Sequence, residues 1–454
     1  LWAPIAPRTA FKGIFELPPG EVMLIENGQA SSRPYWSLTF PDMGEEDSRE
    51  EDEIAWELRA LLEDATRIRL RAAVEVGALL SGGLDSSIVS ALAARMVPGS
   101  LRTFAITFED AAFDESAYQQ MMVQTLGTRH SAVCCRAGDI AGAFPAVVRH
   151  MERPVLRTGP APLYLLSRHV REEGLKVVLS GEGADEIFAG YDLFKEAAIG
   201  RFCARQPNSK FRRHLFRKIY PYLATLQKQP PEYLAAFFGA QAKAPGDPLL
   251  SHRPRLRATT GTRLFFSGEF HEMLAGYDAA EELAASLPEA FDRWHPLHQA
   301  QYIETRFLLP GYILSSQGDR MNMAHGVETR FPFLDHRLVE FAARLPPRLK
   351  MRGLREKRIL RRAVADLLPP AIVERKKQPY RAPESAAFSG PAAAYIAQIL
   401  SAGSIAQAGL FNERAVAKLL DKHRRGAISG FRDNAAFVGI ASAQLWSDTF
   451  VSAP

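Results

Sequence analysis

The sequence predicts an α/β fold: a doubly wound parallel sheet with a helical C-terminal part and a short β segment ahead of it. Three observations carry that expectation. Between residues 74 and 179, short apolar runs alternate with stretches of helical spacing, the pattern of parallel strands joined by helical crossovers. Two of those runs end in a Ser-Gly turn followed by acidic residues. From about residue 190 onward the chain reads as helices jointed by prolines.

Taken in order, Val22-Met23-Leu24-Ile25 predicts a short strand and Asn27-Gly28 a hairpin turn. Pro41 to Glu53 is acidic and turn-forming, a linker or an exposed helix start. Ile54, Leu58, Leu61, Leu62, Ala65 and Ile68 recur at helical spacing and predict one amphipathic helix. Strands are expected at Val74 to Leu80, Thr103 to Phe108, His130 to Cys134 and Lys176 to Leu179. Helices are expected at Ile88 to Met96, Ser116 to Leu126 and Leu163 to Arg171, with Ser81 to Ser87 as a Gly-rich loop.

Composition narrows the function classes. Of 454 residues, 47% are hydrophobic and 24% charged, which suits a globular chain. No apolar run approaches the roughly 18 uncharged residues of a membrane helix, and Leu1 to Ala10 lack the basic start and apolar core of a signal peptide. A cytoplasmic protein with no membrane partner is expected. Leu1 is not an initiator methionine, so the chain reads as processed or as beginning inside a longer frame. Cys134, Cys135 and Cys203 are odd in number and two are adjacent, which suggests neither a disulfide framework nor zinc; reduced interior thiols are expected. A net charge of +5 permits an anionic ligand. Without an aromatic-interleaved basic patch, no nucleic-acid partner is expected.

The chemistry-bearing motifs follow the strands. Leu79-Leu80-Ser81-Gly82-Gly83-Leu84-Asp85-Ser86-Ser87 closes a strand and opens a helix. Gly82 and Gly83 let the backbone turn tightly against a ligand, and the helix N-terminus offers amides to an anion. Ser81, Ser86 and Ser87 add hydroxyls. Asp85 would repel a bare phosphate, so a cation such as Mg²⁺ is implied. There is no GK[ST] ending, so the loop is not built for γ-phosphate transfer. Val177 to Glu186 repeats the logic: a buried strand, Ser180-Gly181, then Glu182, Asp185 and Glu186. Ligands bind at the carboxyl ends of such strands, so both loops can face one crevice.

These two loops resemble the pyrophosphate loop and the SGEG-x-DE loop of the asparagine synthetase (glutamine-hydrolysing) family. Further segments extend the likeness: Val327-Glu328-Thr329-Arg330-Phe331-Pro332-Phe333-Leu334-Asp335, the Glu356-Lys357-Arg358-Ile359-Leu360-Arg361 helix, and Arg375-Lys376-Lys377 as R-x-K. The resemblance covers about residues 8 to 450 and implies a fold of the adenine-nucleotide α-hydrolase, or ATP pyrophosphatase, type. It implies that Glu182 and Lys377 are catalytic, that Asp85 and Asp185 hold Mg²⁺, and that Leu79, Ile106, Ser180 and Gly181 surround the adenosine of ATP. It places the Val327 to Asp335 segment near the acceptor pocket, although a buried salt-bridge network is an equal reading for Arg330 and Asp335. Lys376 reads as solvated charge.

Phe11-Lys12-Gly13-Ile14, Leu17-Pro18-Pro19-Gly20 and Tyr35-Trp36 resemble the tail of the family's N-terminal glutaminase domain. Residues 1–45 are accordingly expected to be its remnant, and residues 46–454 the amide-forming domain. The resemblance implies aspartate, ATP and ammonia (from glutamine in the intact protein) as small-molecule substrates, giving asparagine through an acyl-adenylate. Alternatives are the same chemistry on a peptide or cell-wall acid, lactam closure, an RNA-modifying adenylase, or a non-catalytic relic. The acceptor is not readable from Leu156 to Pro162, and a homo-oligomer stays open.

Overall fold

The computed structural model describes residues 2–239 and 246–451. An antiparallel hairpin opens it, β1 (Glu21–Glu26) with β2 (Gln29–Pro34), turning at Asn27 and Gly28, both at positive φ. Its apolar residues Val22, Met23, Leu24 and Ile25 are all exposed. The acidic stretch then docks: Met43 N–H donates to the Arg293 carbonyl and Asp47 N–H to that of Arg344. Helix α1 (Glu51–Arg69) starts with three acids and buries Ile54, Leu58, Leu62 and Ala65. Its first turn pairs Glu51 with Arg358 at 2.7 Å and Asp52 with Arg362.

The main sheet is five-stranded and parallel, ordered β5-β4-β3-β6-β7. Its strands are β3 (Val76–Leu79), β4 (Arg102–Phe108), β5 (Arg129–Cys135), β6 (Val177–Leu179) and β7 (Glu328–Arg330). The crossover helices are α2 (Leu84–Met96), α3 (Ser116–Leu126), α4 (Ala137–Met151) and α5 (Pro160–Glu172). Two short helices follow β6, α6 (Ala184–Ile187) and α7 (Asp192–Ala204). Both faces of the sheet are covered, which explains strands as apolar as Val-Gly-Ala-Leu and Val-Val-Leu. Ala78, Val177 and Leu179 pack with residues of α1 and α2, while Phe104 and Val178 pack with Leu166 and Val170 of α5. A second core joins α4 to the C-terminal helix Gly430–Phe450.

The structure differs from the sequence expectation at four places. Helix α2 begins at Leu84, because Gly83 takes an extended conformation as its N-cap, so Asp85, Ser86 and Ser87 sit in a first helical turn. Strand β7 was not foreseen; its three residues pair along the free edge of β6. Of the cysteines expected inside, Cys135 is buried but Cys134 is exposed. Lys210 to Lys218 does interleave basic and aromatic residues, with Phe211 86% exposed and Phe216 buried in a small core of its own. Among the described residues no helix is long and apolar enough to cross a membrane.

Candidate active site

Strand β3 is the first of its sheet in the chain; β4 and β5 are laid down on one side of it, β6 and β7 on the other. The order therefore reverses between β3 and β6, and the crevice beyond the carboxyl ends of those strands is where such sheets bind ligands. Both acidic turns open there. In the first, Gly82 adopts φ +74°, and a Cβ on it would lie 2.7 Å from the Tyr118 Cβ. Ser81 Oγ and Ser86 Oγ are 2.9 Å apart, and Ser86 Oγ also accepts from the Ser81 amide at 3.1 Å. Gly181 presses on this turn directly: a Cβ there would meet the Asp85 carbonyl carbon and the Ser86 nitrogen at 2.7 Å. Only glycine lets the two loops touch.

Across that contact stand two carboxylates and two ammonium groups. Lys357 Nζ lies 2.6 Å from both Asp85 oxygens and 2.5 Å from Asp185 Oδ1. Lys377 Nζ lies 2.5 Å from Asp185 Oδ2 and 4.0 Å from Asp85 Oδ2. Burial would raise the Asp185 carboxyl, but the two lysines override it and hold it down to about 2. Burial likewise opposes the charge on Lys377, yet Asp185 and Asp85 raise its pKa. Glu182 differs. Burial pushes its carboxyl up to about 7 against the pull of Lys377. Behind it, burial and the neighbouring Asp185 and Glu182 charges lift Glu186 to about 8; its Oε1 accepts from Tyr191 Oη at 2.8 Å and its Oε2 has no hydrogen-bond partner.

The chain from 356 to 377 is held as tightly. Glu356 pairs with Lys195 at 3.0 Å and Arg361 at 2.9 Å, and accepts from the Lys377 amide at 3.1 Å. Arg375 donates to the Gly82 carbonyl at 2.8 Å, pairs with Glu115, and stacks over Tyr118 at 3.8 Å. The segment carrying Lys377 is thereby tied to the first loop.

Leu79, Ser81, Gly83, Asp85, Ser86 and Ile106 line one cleft, together with Ser180, Gly181, Glu182, Asp185 and Lys377. Gly82 shapes the turn from behind. Ser87 is fully buried, off the cleft wall, and its Oγ has no hydrogen-bond partner. Lys376 is exposed at the cleft's edge. Arg330 and Asp335 stand apart as a salt-bridge network. Arg330 donates to the Arg69 and Arg71 carbonyls at 2.8 Å, and Asp335 pairs with Arg69 and Arg337 at 2.9 Å. Sequence reasoning passed over Lys357 as a ligand of both aspartates, although it lies in a motif already singled out. It also passed over Gln119, whose Nε2 donates to the Ile106 carbonyl at 2.8 Å on the apolar side of the cleft.

A strand-end loop without its own lysine, facing a second acidic loop and served by cations from far along the chain, is a particular arrangement. The profile of the asparagine synthase family matches residues 57–448. The chain belongs to the asparagine synthase family. Among relatives of this member, amidase chyE of Penicillium rubens is 32% identical over 450 residues, covering 92% of this chain and 66% of its own. Amidase chry2 of Gibberella zeae is 29% identical, covering 91% and 65%. Asparagine synthetase [glutamine-hydrolyzing] 1 of Bacillus subtilis is 26% identical, covering 83% and 57%. The chain thus spans about two-thirds or less of the length of these curated relatives.

Proposed function

We propose that this family member activates a carboxylate with ATP and passes the product to ammonia. The carboxylate oxygen attacks the α-phosphorus, the α–β bridge breaks and pyrophosphate leaves. The ammonia nitrogen then attacks the acyl carbon, a proton is lost, and AMP departs from an amide. The observation that carries this reading is the meeting of Asp85, Asp185, Lys357 and Lys377 at the point where the strand order reverses.

Lys377 and Lys357 are suited to meet the charge gathering on the pyrophosphate, the largest usual contribution to such a step. Glu182, with its carboxyl lifted to about 7, can hold or release a proton beside the reacting carboxylate. Leu79, Ile106, Ser180 and Gly181 suit the adenosine, and the α2 N-terminus with Ser81 and Ser86 suits the phosphates. Among the described residues no three His, Cys, Asp or Glu form a ready-made cation cage. Asp85 and Asp185 nevertheless fit Mg²⁺, which is commonly held by one or two carboxylates together with substrate phosphates. Bound there, the ion would neutralise charge on the departing pyrophosphate.

Aspartate is the acceptor that the asparagine synthetases among the relatives suggest. Another acid is favoured by the two amidases, which match over more of this chain. We assign residues 1–45 to the tail of a glutaminase domain and residues 46–454 to the amide-forming domain. The exposed apolar side chains on both sides of the hairpin suit a strand pair with further partners. A pyrophosphate-release assay across acceptor acids, with ammonia or glutamine as donor, tests the reading. Release that depends on an acid and on ATP, with ammonia supporting amide formation, is expected. No release with any acid overturns it.

A further inference from the structure

The positive charge of the chain is concentrated in one stretch. Residues 197–231 hold eight lysines and arginines and no acid, whereas the whole chain is net +5, so everything outside that stretch carries a net −3. The stretch builds a small lobe with a core of its own. Ile199 of α7, Phe216 of the 3₁₀ helix Arg212–Lys218, and Ile219 just after it pack with Leu234 and Phe238 of the helix Pro231–Gly239. Phe216 stacks on Phe238 with ring centres 5.9 Å apart. The lobe is fixed to the body: Tyr220 N–H donates to Asp192 Oδ2 at 3.0 Å, and Tyr220 Oη to Glu196 Oε2 at 2.8 Å, both acids on α7.

Two of the cations are tied down. Arg212 stacks over Phe202 at 4.0 Å and donates to its carbonyl at 2.6 Å, and Arg213 pairs with Glu232 at 3.1 Å. Arg205, Lys210, Arg217 and Lys218 are exposed and have no carboxylate within ion-pair distance among the described residues. Phe211 stands among them, 86% exposed, although the lobe buries Phe216 five residues on. A single exposed ring is common and defines no surface. A bare ring set among four unpaired cations, in a lobe that holds more positive charge than the whole chain nets, is a different matter. Its complement carries negative charge and accepts one apolar group.

We propose that this lobe docks the protein on an anionic lipid surface, with Phe211 entering the headgroup layer and Arg205, Lys210, Arg217 and Lys218 staying at the level of the lipid phosphates. Apolar transfer of the ring and attraction of cations to acidic headgroups then act together. The contact is peripheral, and it neither needs nor alters the ligase reading. A nucleic-acid strand is the rival partner. Strand-binding surfaces set several free rings along a basic groove so that successive bases stack. Here the face of Phe202 is taken by Arg212, Tyr233 stacks on Phe237, and Phe211 is one ring standing out from the surface.

The test uses the whole chain, as wild type, Phe211→Ala, and a triple variant carrying Lys210→Gln, Arg217→Gln and Lys218→Gln. Co-sedimentation is measured with phosphatidylcholine vesicles, with and without phosphatidylserine, and fluorescence anisotropy with single-stranded and duplex oligonucleotides. Wild type should sediment with the phosphatidylserine vesicles and stay in solution with phosphatidylcholine alone. It should be released at about 1 M salt, where the screening length falls to about 3 Å. One Lys or Arg beside an anionic bilayer is worth about fivefold in partitioning, so the triple variant should lose roughly a hundredfold. Phe211→Ala should lose roughly threefold to tenfold, as part of a phenyl ring returns to water. The substituted side chains are all exposed, so both variants should melt at the wild-type temperature. Absence of wild-type binding to phosphatidylserine vesicles overturns the proposal, and so does binding that the triple variant keeps. Binding undiminished in Phe211→Ala removes the ring from the contact and overturns it as well. Tighter binding to an oligonucleotide than to vesicles, lost in the triple variant, gives the lobe to nucleic acid instead.

Discussion

The acids of the cleft and its cations are carried by different kinds of backbone. Asp85 and Asp185 stand in the first turns of α2 and α6, directly after strands of a buried parallel sheet. Lys357 comes from 272 residues beyond Asp85 and sits at a left-handed φ of 55°, just ahead of the helix Arg358–Ala363. Lys377 lies in a stretch without regular structure, held by the Glu356 carboxylate at its amide. A non-glycine residue in that conformation costs on the order of 1–2 kcal/mol and persists only where its surroundings impose it. The acids are placed by local structure. The cations are placed by tertiary contacts, including the acids themselves.

Substitution of these side chains separates the two kinds of placement, beginning where the effect should be largest. Lys357→Ala removes a fully buried ammonium from two carboxylates, and loss of one partner of a buried pair costs about 3–5 kcal/mol. Urea unfolding should register that loss, and a drop no larger than that of Lys377→Ala would mean that the two lysines are equivalent. Lys377→Ala should act on rate instead: pyrophosphate release falling about a hundredfold or more, with ATP affinity near normal. Loss of ATP affinity with the rate unchanged would place Lys377 in ground-state binding only.

The third test is a pH dependence. Glu186 has an ordinary carboxyl value of 4.5 and a folded value near 8, so the native state holds its proton more tightly than the unfolded chain. The stability this group allows is full below 4.5 and is lost as pH rises toward about 8. The slope is at most about 1.4 kcal/mol per pH unit for one proton. The advantage of wild type over Glu186→Gln should therefore shrink across that window, as measured by denaturant unfolding at several pH values. A constant difference would assign Glu186 an ordinary titration. The smallest effect is expected at Lys376→Ala, within about twofold in turnover, as for any exposed charge.

Legibility followed the same division. Helix α3 lies where helical spacing put it, and β3 to β6 where apolar runs end in turn residues, because each signal is local. Strand β7 was unreadable: Glu328-Thr329-Arg330 has no apolar period and becomes a strand only by meeting β6. The family likeness pointed to Lys377 but left Lys357 as part of a helix motif, since nothing local tells a lysine that bridges two aspartates from one in solvent.

The contact of Gly181 with the backbone of Asp85 and Ser86 has a mechanical consequence. With no side chain between them, the two turns behave like the jaws of a caliper locked at one opening, and the separation of their backbones follows from main-chain contact. A scaffold locked in that way cannot be reshaped by widening the jaws. Any change in the cleft's shape must instead come from side chains that line it elsewhere, such as those of Gln378 to Arg381, which leave that main-chain contact undisturbed.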